Sequence, residues 1–527
     1  MMQSSMTRAR SHLLQLPVNG RIRSMVIQPA TVTPILSVLA LAAPLVVYSC
    51  TLAPTVHILD SAELTTGSYL LGLVHAPGYP LYLILGKLFS FLPFGNVAYR
   101  VNLMSGVFAA ATSLITFWVL LRLTQRRFIS LGATFALAFS YYFWQEAVVA
   151  EAYTLETFMI ALFLLVLLKW RAVGSGNRWL SLLALLFGLS LGNRTTTALF
   201  FPSVVLFILA ETRGSILNDH KTLFLTFIAF LLGLCIYLYL PFRYLADPPL
   251  NYASEGLYGV NLTTPGGMWW MISGRMYHFY AFGYGLAEAI PELTSYLGRL
   301  WRNFLGVGVL VGVLGWLGMW RKDRRTFALI FLPFALYVGF FVNYRVVDKD
   351  TMFLPSYLLW TVALAHGYAW IADACEAWSH RLRPTRSDVS AAAVVVVTVI
   401  AIGALGGILN WRWADRSDDI YTEKFARQIL AEVPPDALIV ADWSPAVVLE
   451  YFQLVEGYRP DVRIMNRSRF TVAQYYHYWR SGLSHEEIVD LVALEELHAV
   501  RQDPVRHVVC VDDLAIPELA LSPCLSY

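Results

Sequence analysis

The sequence predicts a polytopic α-helical membrane protein with a small α/β domain at its C-terminal end. Three observations predict it. Of 527 residues, 57% are hydrophobic and only 14% are charged, with a mean hydropathy of +0.55, whereas soluble chains carry roughly 25% charged residues. Apolar runs long enough to cross a bilayer recur along the chain. Lys and Arg gather between alternate runs, as the positive-inside rule requires. The net charge of +3 gives no reason to expect a nucleic acid partner.

The N-terminal tract, residues 1–33, carries Arg8, Arg10, Arg21 and Arg23 ahead of the first apolar run. No small-residue cleavage site stands out and more apolar runs follow, so the first run reads as a retained span with a cytoplasmic N-terminus. The transmembrane region, 34–410, contains spans near 34–53, 99–121, 128–144, 154–170, 179–192, 196–210, 222–240, 303–320, 326–342, 352–371 and 389–409, about eleven helices. One side then receives RLTQRR (122–127), KWRAVGSGNR (169–178), ETRGSILNDHK (211–221), RKDRR (321–325) and HRLRPTR (380–386), every one of them carrying Lys or Arg. The other side receives 54–98, 145–153, 193–195, 241–302, 343–351 and the tail, which are less basic. An integral cell-membrane protein with its long loops and C-terminal domain outside the cytoplasm is the expectation.

Loop 241–302 is dense in Trp and Tyr, which suits the headgroup level of a bilayer. The tail, 411–527, alternates helical patterns with the strand-like runs ALIVADW, RPDVRIMN and RHVVCVDD, which suggests parallel pairing. It contains neither GxGxxG nor a P-loop, so nothing in it points to a nucleotide. Its role reads as support for the outer face or placement of an acceptor. No cysteine spacing suggests a zinc site. Cys510 and Cys524 share the tail and are able to pair if the compartment is oxidising.

The polar residues of the less basic side carry the chemistry. Charge beside a membrane span is costly and marks function. Asp60 and Glu63 are three apart and share a helix face, which fits a capping pair as well as an acid/base pair. His75 stands before the Pro77, Gly78, Pro80 turn, as a proton carrier or a structural hydrogen-bonding group. Glu146, Glu151, Asn193, Arg194, Arg243, Arg275, Asp348 and Asp350 join them. Each reads singly as a loop charge or a snorkelling side chain; together, carboxylates and arginines on one face suit a base and a phosphate leaving group. Intramembrane charge also fits a transporter or flippase, but internal repeats are absent to inspection and the charges sit at one surface.

The stretch LDSAEL with LGLVHAPGYPLYLILGKLFSFLPFGNVAYRVNL resembles the signature of a membrane family related to protein O-mannosyltransferases, within the GT-C glycosyltransferase superfamily. The likeness continues through FWQEAVVAEAYTLE, GLSLGN, YLYLPFRYLADPPLNY, SGRMY and VVDKD, and reaches YFQLVEGYRPDVRIMN in the tail. Arg194 follows GLSLGN where the family would have histidine. The resemblance implies a GT-C-like fold and sugar transfer from a polyprenyl-phosphate donor to the hydroxyl of a protein or glycolipid acceptor, with mannose the default sugar. It makes Asp60 the acceptor base and Glu63 its neighbour, with Arg243, Arg275 and Arg194 at the phosphate. Asp348 and Asp350 would orient those arginines or meet sugar hydroxyls. The lipid-linked sugar is a substrate; no cofactor is indicated, and the carboxylates leave room for a divalent cation.

Overall fold

A computed structural model describes residues 32–174, 177–254, 257–346, 349–382, 389–478, 481–502, 507–511 and 522–523. The segments read as spans fall on helical stretches, but 128–144 is split between Arg127–Ala138 and Tyr141–Ala147, and 303–320 crosses the turn before Val307–Lys322. Among the described residues, seven helices, from Val32–Cys50 to Val394–Ala414, are long and apolar enough to cross a bilayer on their own; an eighth candidate is the pair Ala287–Asn303 and Val307–Lys322, bent by 103°. The helix Leu354–Leu382 falls short by composition because protein surrounds it: Leu354, Tyr357, Leu359, Val362, Ala363 and Ala365 are fully buried. A helix shielded by others does not need an apolar surface all round. By contrast, Phe224, Phe227, Leu231 and Leu232 of His220–Leu234 are exposed, where lipid tails would cover them.

Small residues let the central helices meet. A β-carbon added at Gly315 would stand 1.8 Å from the Ala363 carbonyl oxygen, whereas one at Gly318 would meet nothing within 4 Å. Backbone contact of this kind holds membrane helices together without a hydrophobic drive. Gly315→Ala should therefore lower the thermal unfolding temperature in detergent by separating Val307–Lys322 from Leu354–Leu382, with Gly318→Ala unchanged. Equal midpoints for the two variants would refute the contact.

The segment between the first two long spans, α1 (Val32–Cys50) and α4 (Val97–Thr124), holds two short helices, α2 (Asp60–Leu70) and α3 (Pro80–Ser90). α2 ends at Leu71, which adopts the left-handed conformation, and Arg243 closes it by donating from Nε to the Leu71 carbonyl at 2.6 Å. The chain then forms an isolated parallel bridge, Leu73 with Asn251, which leads into His75. Helix Leu286–Asn303 presents Ile290, Leu293, Leu297 and Trp301 outward along one stripe. It turns by 103° into Val307–Lys322.

The tail contains the expected strands and parallel pairing. β1 (Leu438–Ala441) lies between β2 (Arg463–Asn466) and β3 (Val508–Val511), parallel to both, and the two-residue β4 (Ser522–Pro523) adds antiparallel to β3. Cys510 is disulfide-bonded, and Cys50, Cys235 and Cys375 are free; Cys524 lies outside the described residues. The helix after β1, Trp443–Leu454, packs on α2. Ala62 of α2, Val56 and Ala98 share a core with Phe425, Val447, Val448 and Tyr451. Thr422 donates to the Val56 carbonyl at 2.5 Å. The tail thus joins the membrane region through buried apolar contact.

Candidate active site

The first turn of α2 places Asp60 and Glu63 side by side, but neither caps it. Leu59 occupies the N-cap position at φ 59 and ψ −135, with no side-chain capping bond. That backbone conformation is strained for a residue with a β-carbon and is the kind concentrated at working sites. The capping-pair reading therefore fails, because both carboxylates turn elsewhere. Glu63, fully buried, accepts from the His75 backbone N–H and meets the His75 Nδ1, both at 2.7 Å through Oε1. Its other oxygen accepts from Arg469 at 2.9 Å. Asp60 Oδ1 has no hydrogen-bond partner among the described residues; it stands 3.8 Å from His75 Nε2 and 3.8 Å from an Arg469 nitrogen. His75 Nε2 also meets the Tyr79 hydroxyl at 3.1 Å.

Arg469 comes from the tail. Asn466 ends β2 and accepts from the Arg469 backbone N–H at 3.1 Å, capping the helix Arg467–Tyr478. The Arg469 guanidinium donates to the Tyr277 hydroxyl at 2.8 Å and lies 4.3 Å from the Trp443 ring centre. Arg194 follows the helix Asn177–Leu191, its Nε 3.2 Å from Glu156 and its guanidinium carbon 4.1 Å from the Tyr153 ring centre. Glu156 also accepts from Thr196 at 2.7 Å and from Tyr337 at 3.1 Å.

These groups surround a cavity of about 1150 Å³ lined by Asp60, His75, Tyr79, Arg194, Tyr277, Arg345, Trp443, Arg467 and Arg469, with Phe282, Phe340, Phe341 and Met352 on an apolar wall. Burial alone would raise the Glu63 carboxyl, but His75 and Arg469 beside it outweigh burial and hold it down at about 2. Burial likewise opposes the charge on Arg469, and Tyr277 and Glu63 outweigh it.

The structure sorts the sequence candidates. Asp60, Glu63, His75 and Arg194 come together. Asn193 is buried and donates to the Ala152 carbonyl at 3.0 Å. Glu146 and Glu151 do not line the cavity and stand near the buried Tyr82. Arg243 does not line the cavity: its guanidinium closes the C-terminus of α2 on the carbonyls of Leu70 and Leu71. Arg275 does not line the cavity, and Asp350 pairs with Arg299 at 2.6 Å, also outside it. Asp348 lies outside the described residues.

Sequence reasoning missed Arg469, Arg467, Trp443 and Arg345. Two of the missed segments follow a general rule: Asp442–Trp443 and Arg467–Arg469 leave the carboxyl ends of the parallel strands β1 and β2, where α/β sheets place their ligands. Donor atoms of Asp60, Glu63 and His75 lie within 4.8 Å of one another, but the trio does not suit a divalent cation. Both Glu63 oxygens are engaged and Arg469 stands against both carboxylates, so the arginines favour an anion instead.

Residues 60–217 match the family model described as the protein O-mannosyl-transferase TMEM260 N-terminal domain. The chain is 26% identical over 471 residues to the mouse (Mus musculus) protein O-mannosyl-transferase TMEM260, covering 83% of this chain and 63% of that protein. It is 22% identical to the Dictyostelium discoideum protein of the same name, covering 80% of this chain and 56% of that one. The chain thus spans less than two thirds of the length of either relative. The crystal structure of ArnT from Cupriavidus metallidurans bound to undecaprenyl phosphate superposes with a TM-score of 0.56 at 12% identity, over 90% of this chain and 92% of ArnT. The chain is an integral membrane protein with a GT-C-like fold, and its sequence resembles the protein O-mannosyl-transferases.

Proposed function

We propose that this chain is a membrane glycosyltransferase that moves a sugar, mannose by likeness to its relatives, from a polyprenyl-phosphate donor to an acceptor hydroxyl, with inversion at the anomeric carbon. The observation that carries the reading is Asp60: a carboxylate at the cavity wall whose Oδ1 has no hydrogen-bond partner among the described residues, between His75 and Arg469. A carboxylate so placed is available to accept a proton from a hydroxyl brought against it.

The step balances without a covalent enzyme intermediate. Asp60 takes the acceptor proton as the hydroxyl oxygen attacks the anomeric carbon. The bond from that carbon to the phosphate oxygen breaks, and polyprenyl phosphate leaves with the electron pair. Arg194 and Arg469, both lining the cavity, are the cations suited to its charge, and Arg467 and Arg345 add to the field. Glu63 has a different part: fixed by His75 and Arg469, it orients both. The apolar wall of Phe282, Phe340, Phe341 and Met352 suits the lipid portion of the donor. The segments around the cavity are those assigned to the less basic side, so transfer takes place outside the cytoplasm of a cell membrane.

The test is transfer of label from polyprenyl-phosphate sugars, mannose first, to a membrane extract by the purified chain in lipid. The acceptor is a protein by likeness to the relatives, and a lipid or glycan product would reassign it. Passage of labelled lipid across the bilayer with no product would overturn the transferase reading in favour of a flippase.

A further inference from the structure

The arginines around the cavity differ in whether a carboxylate already answers them. Arg469 meets Glu63 at 2.9 Å, Arg194 meets Glu156 at 3.2 Å and Arg467 meets Glu496 at 2.8 Å. By Coulomb's law the pull of such a pair on a third charge falls off faster than that of a lone cation. Arg345 lines the same cavity and is exposed. Among the described residues its side chain makes no hydrogen bond and no ion pair; its guanidinium carbon lies 5.8 Å from the Tyr284 ring centre.

The backbone under Arg345 is held although its charge is unanswered. Its N–H donates to the Tyr280 carbonyl at 2.9 Å, beside the antiparallel bridge of Ala281 with Tyr344. The Asn343 side chain accepts from the Tyr284 N–H at 3.1 Å. Further along, Lys349 pairs with Glu292 and Asp350 with Arg299, both at 2.6 Å, which ties the same loop to the helix Leu286–Asn303. The apolar wall begins next to it. A β-carbon added at Gly283 would stand 3.2 Å from that of Arg345, and the preceding residue, Phe282, is exposed with its ring 5.9 Å from that of Phe340. A lone guanidinium beside an apolar wall suits an amphiphile whose anionic group is joined directly to a hydrocarbon chain.

We propose that Arg345 is the residue that captures the lipid-linked phosphate and sets the affinity for the donor, with Phe282 and Phe340 against the first part of the lipid chain. The proposal rests on the reading of this cavity as a donor site. A sugar phosphodiester carries a single negative charge, and one unanswered guanidinium matches it. Arg194 and Arg469, already paired, then act on the charge that grows at the leaving oxygen.

The experiment measures equilibrium binding of radiolabelled undecaprenyl phosphate to the purified protein in detergent, for wild type, Arg345→Gln and Arg345→Lys. Arg345→Gln should weaken binding about 10- to 100-fold, the range for a hydrogen bond to a charged group. Arg345→Lys should recover part of the loss as a point charge. Both variants should unfold near the wild-type temperature, since Arg345 has no ion pair to lose among the described residues. In transfer assays KM for the donor should rise with kcat little changed, the pattern of binding lost equally from ground and transition states. A residue that merely shapes the loop would lower the unfolding midpoint instead. The phosphate-free alcohol undecaprenol should not distinguish wild type from Arg345→Gln. Equal binding of undecaprenyl phosphate by wild type and Arg345→Gln would overturn the proposal. So would displacement of the lipid by an equal concentration of inorganic phosphate, which would mark a site for free anions. Absence of transfer by wild type, with the binding series as stated, would sink the transferase reading and leave Arg345 as a lipid-phosphate ligand.

Discussion

Asp60→Asn is expected to lower sugar transfer by about 10²–10⁴-fold, the range for removing a general base, while the protein still inserts and unfolds near the wild-type temperature. The size follows from what asparagine lacks: it nearly matches the shape of aspartate but cannot take the hydroxyl proton at neutral pH. The unchanged stability follows from the surroundings of the carboxylate. Asp60 makes no capping hydrogen bond in α2, and its charged neighbours stand at 3.8 Å, beyond hydrogen-bond range. A loss of transfer therefore has no explanation in a lost cap, and asparagine would serve nearly as well as aspartate if capping were the role. The measurement is label transfer from a polyprenyl-phosphate sugar by wild type and variant in the same lipid, with thermal unfolding as the control. Equal transfer by both would remove Asp60 from the chemistry.

The parts of this site written in local sequence were readable, and the parts assembled by tertiary contact were not. Apolar run length and the position of Lys and Arg marked eleven helical segments, because a bilayer imposes length and charge asymmetry on each span separately. The strands of the tail stood out through their apolar runs for the same local reason. Asp60, Glu63 and His75 fall within 16 residues of one another, so one stretch announced them. Arg469 is 406 residues from Glu63 in the chain, and nothing local says that it arrives there. Arg243 shows the converse: a basic residue after a span says nothing locally of the carbonyls of Leu70 and Leu71 that its guanidinium meets. The capping spacing of Asp60 and Glu63 misled for a related reason: His75 and Arg469 offer Glu63 charged partners that a backbone N–H does not match.

Arg469→Met is expected to destabilise the protein by about 3–5 kcal/mol, the cost of removing one partner of a buried ion pair, and to abolish transfer. Glu63 is fully buried, and Arg469 is the guanidinium that answers its charge. Without it, Glu63 keeps only His75 and either draws a proton or pulls the turn after β2 out of place. The tail is then no longer a support: it supplies the cation that answers the charge of Glu63 beside the cavity. The double variant Glu63→Gln with Arg469→Met separates the two losses. It removes both charges together, so most of the stability should return, because a neutral pair carries no unanswered charge, while transfer stays low for want of the cation at the phosphate. The pH dependence has a stated sign. Because Glu63 is held at about 2 against an ordinary 4.5, its contribution is present at neutral pH and is lost as pH falls from about 4.5 toward 2; Arg469→Met should blunt that acid loss. Thermal unfolding of the four proteins of this cycle measures the coupling directly. Additive losses in the double variant would mean that Glu63 and Arg469 do not act as a pair, and the tail would have to be assigned its place at the site by some other residue.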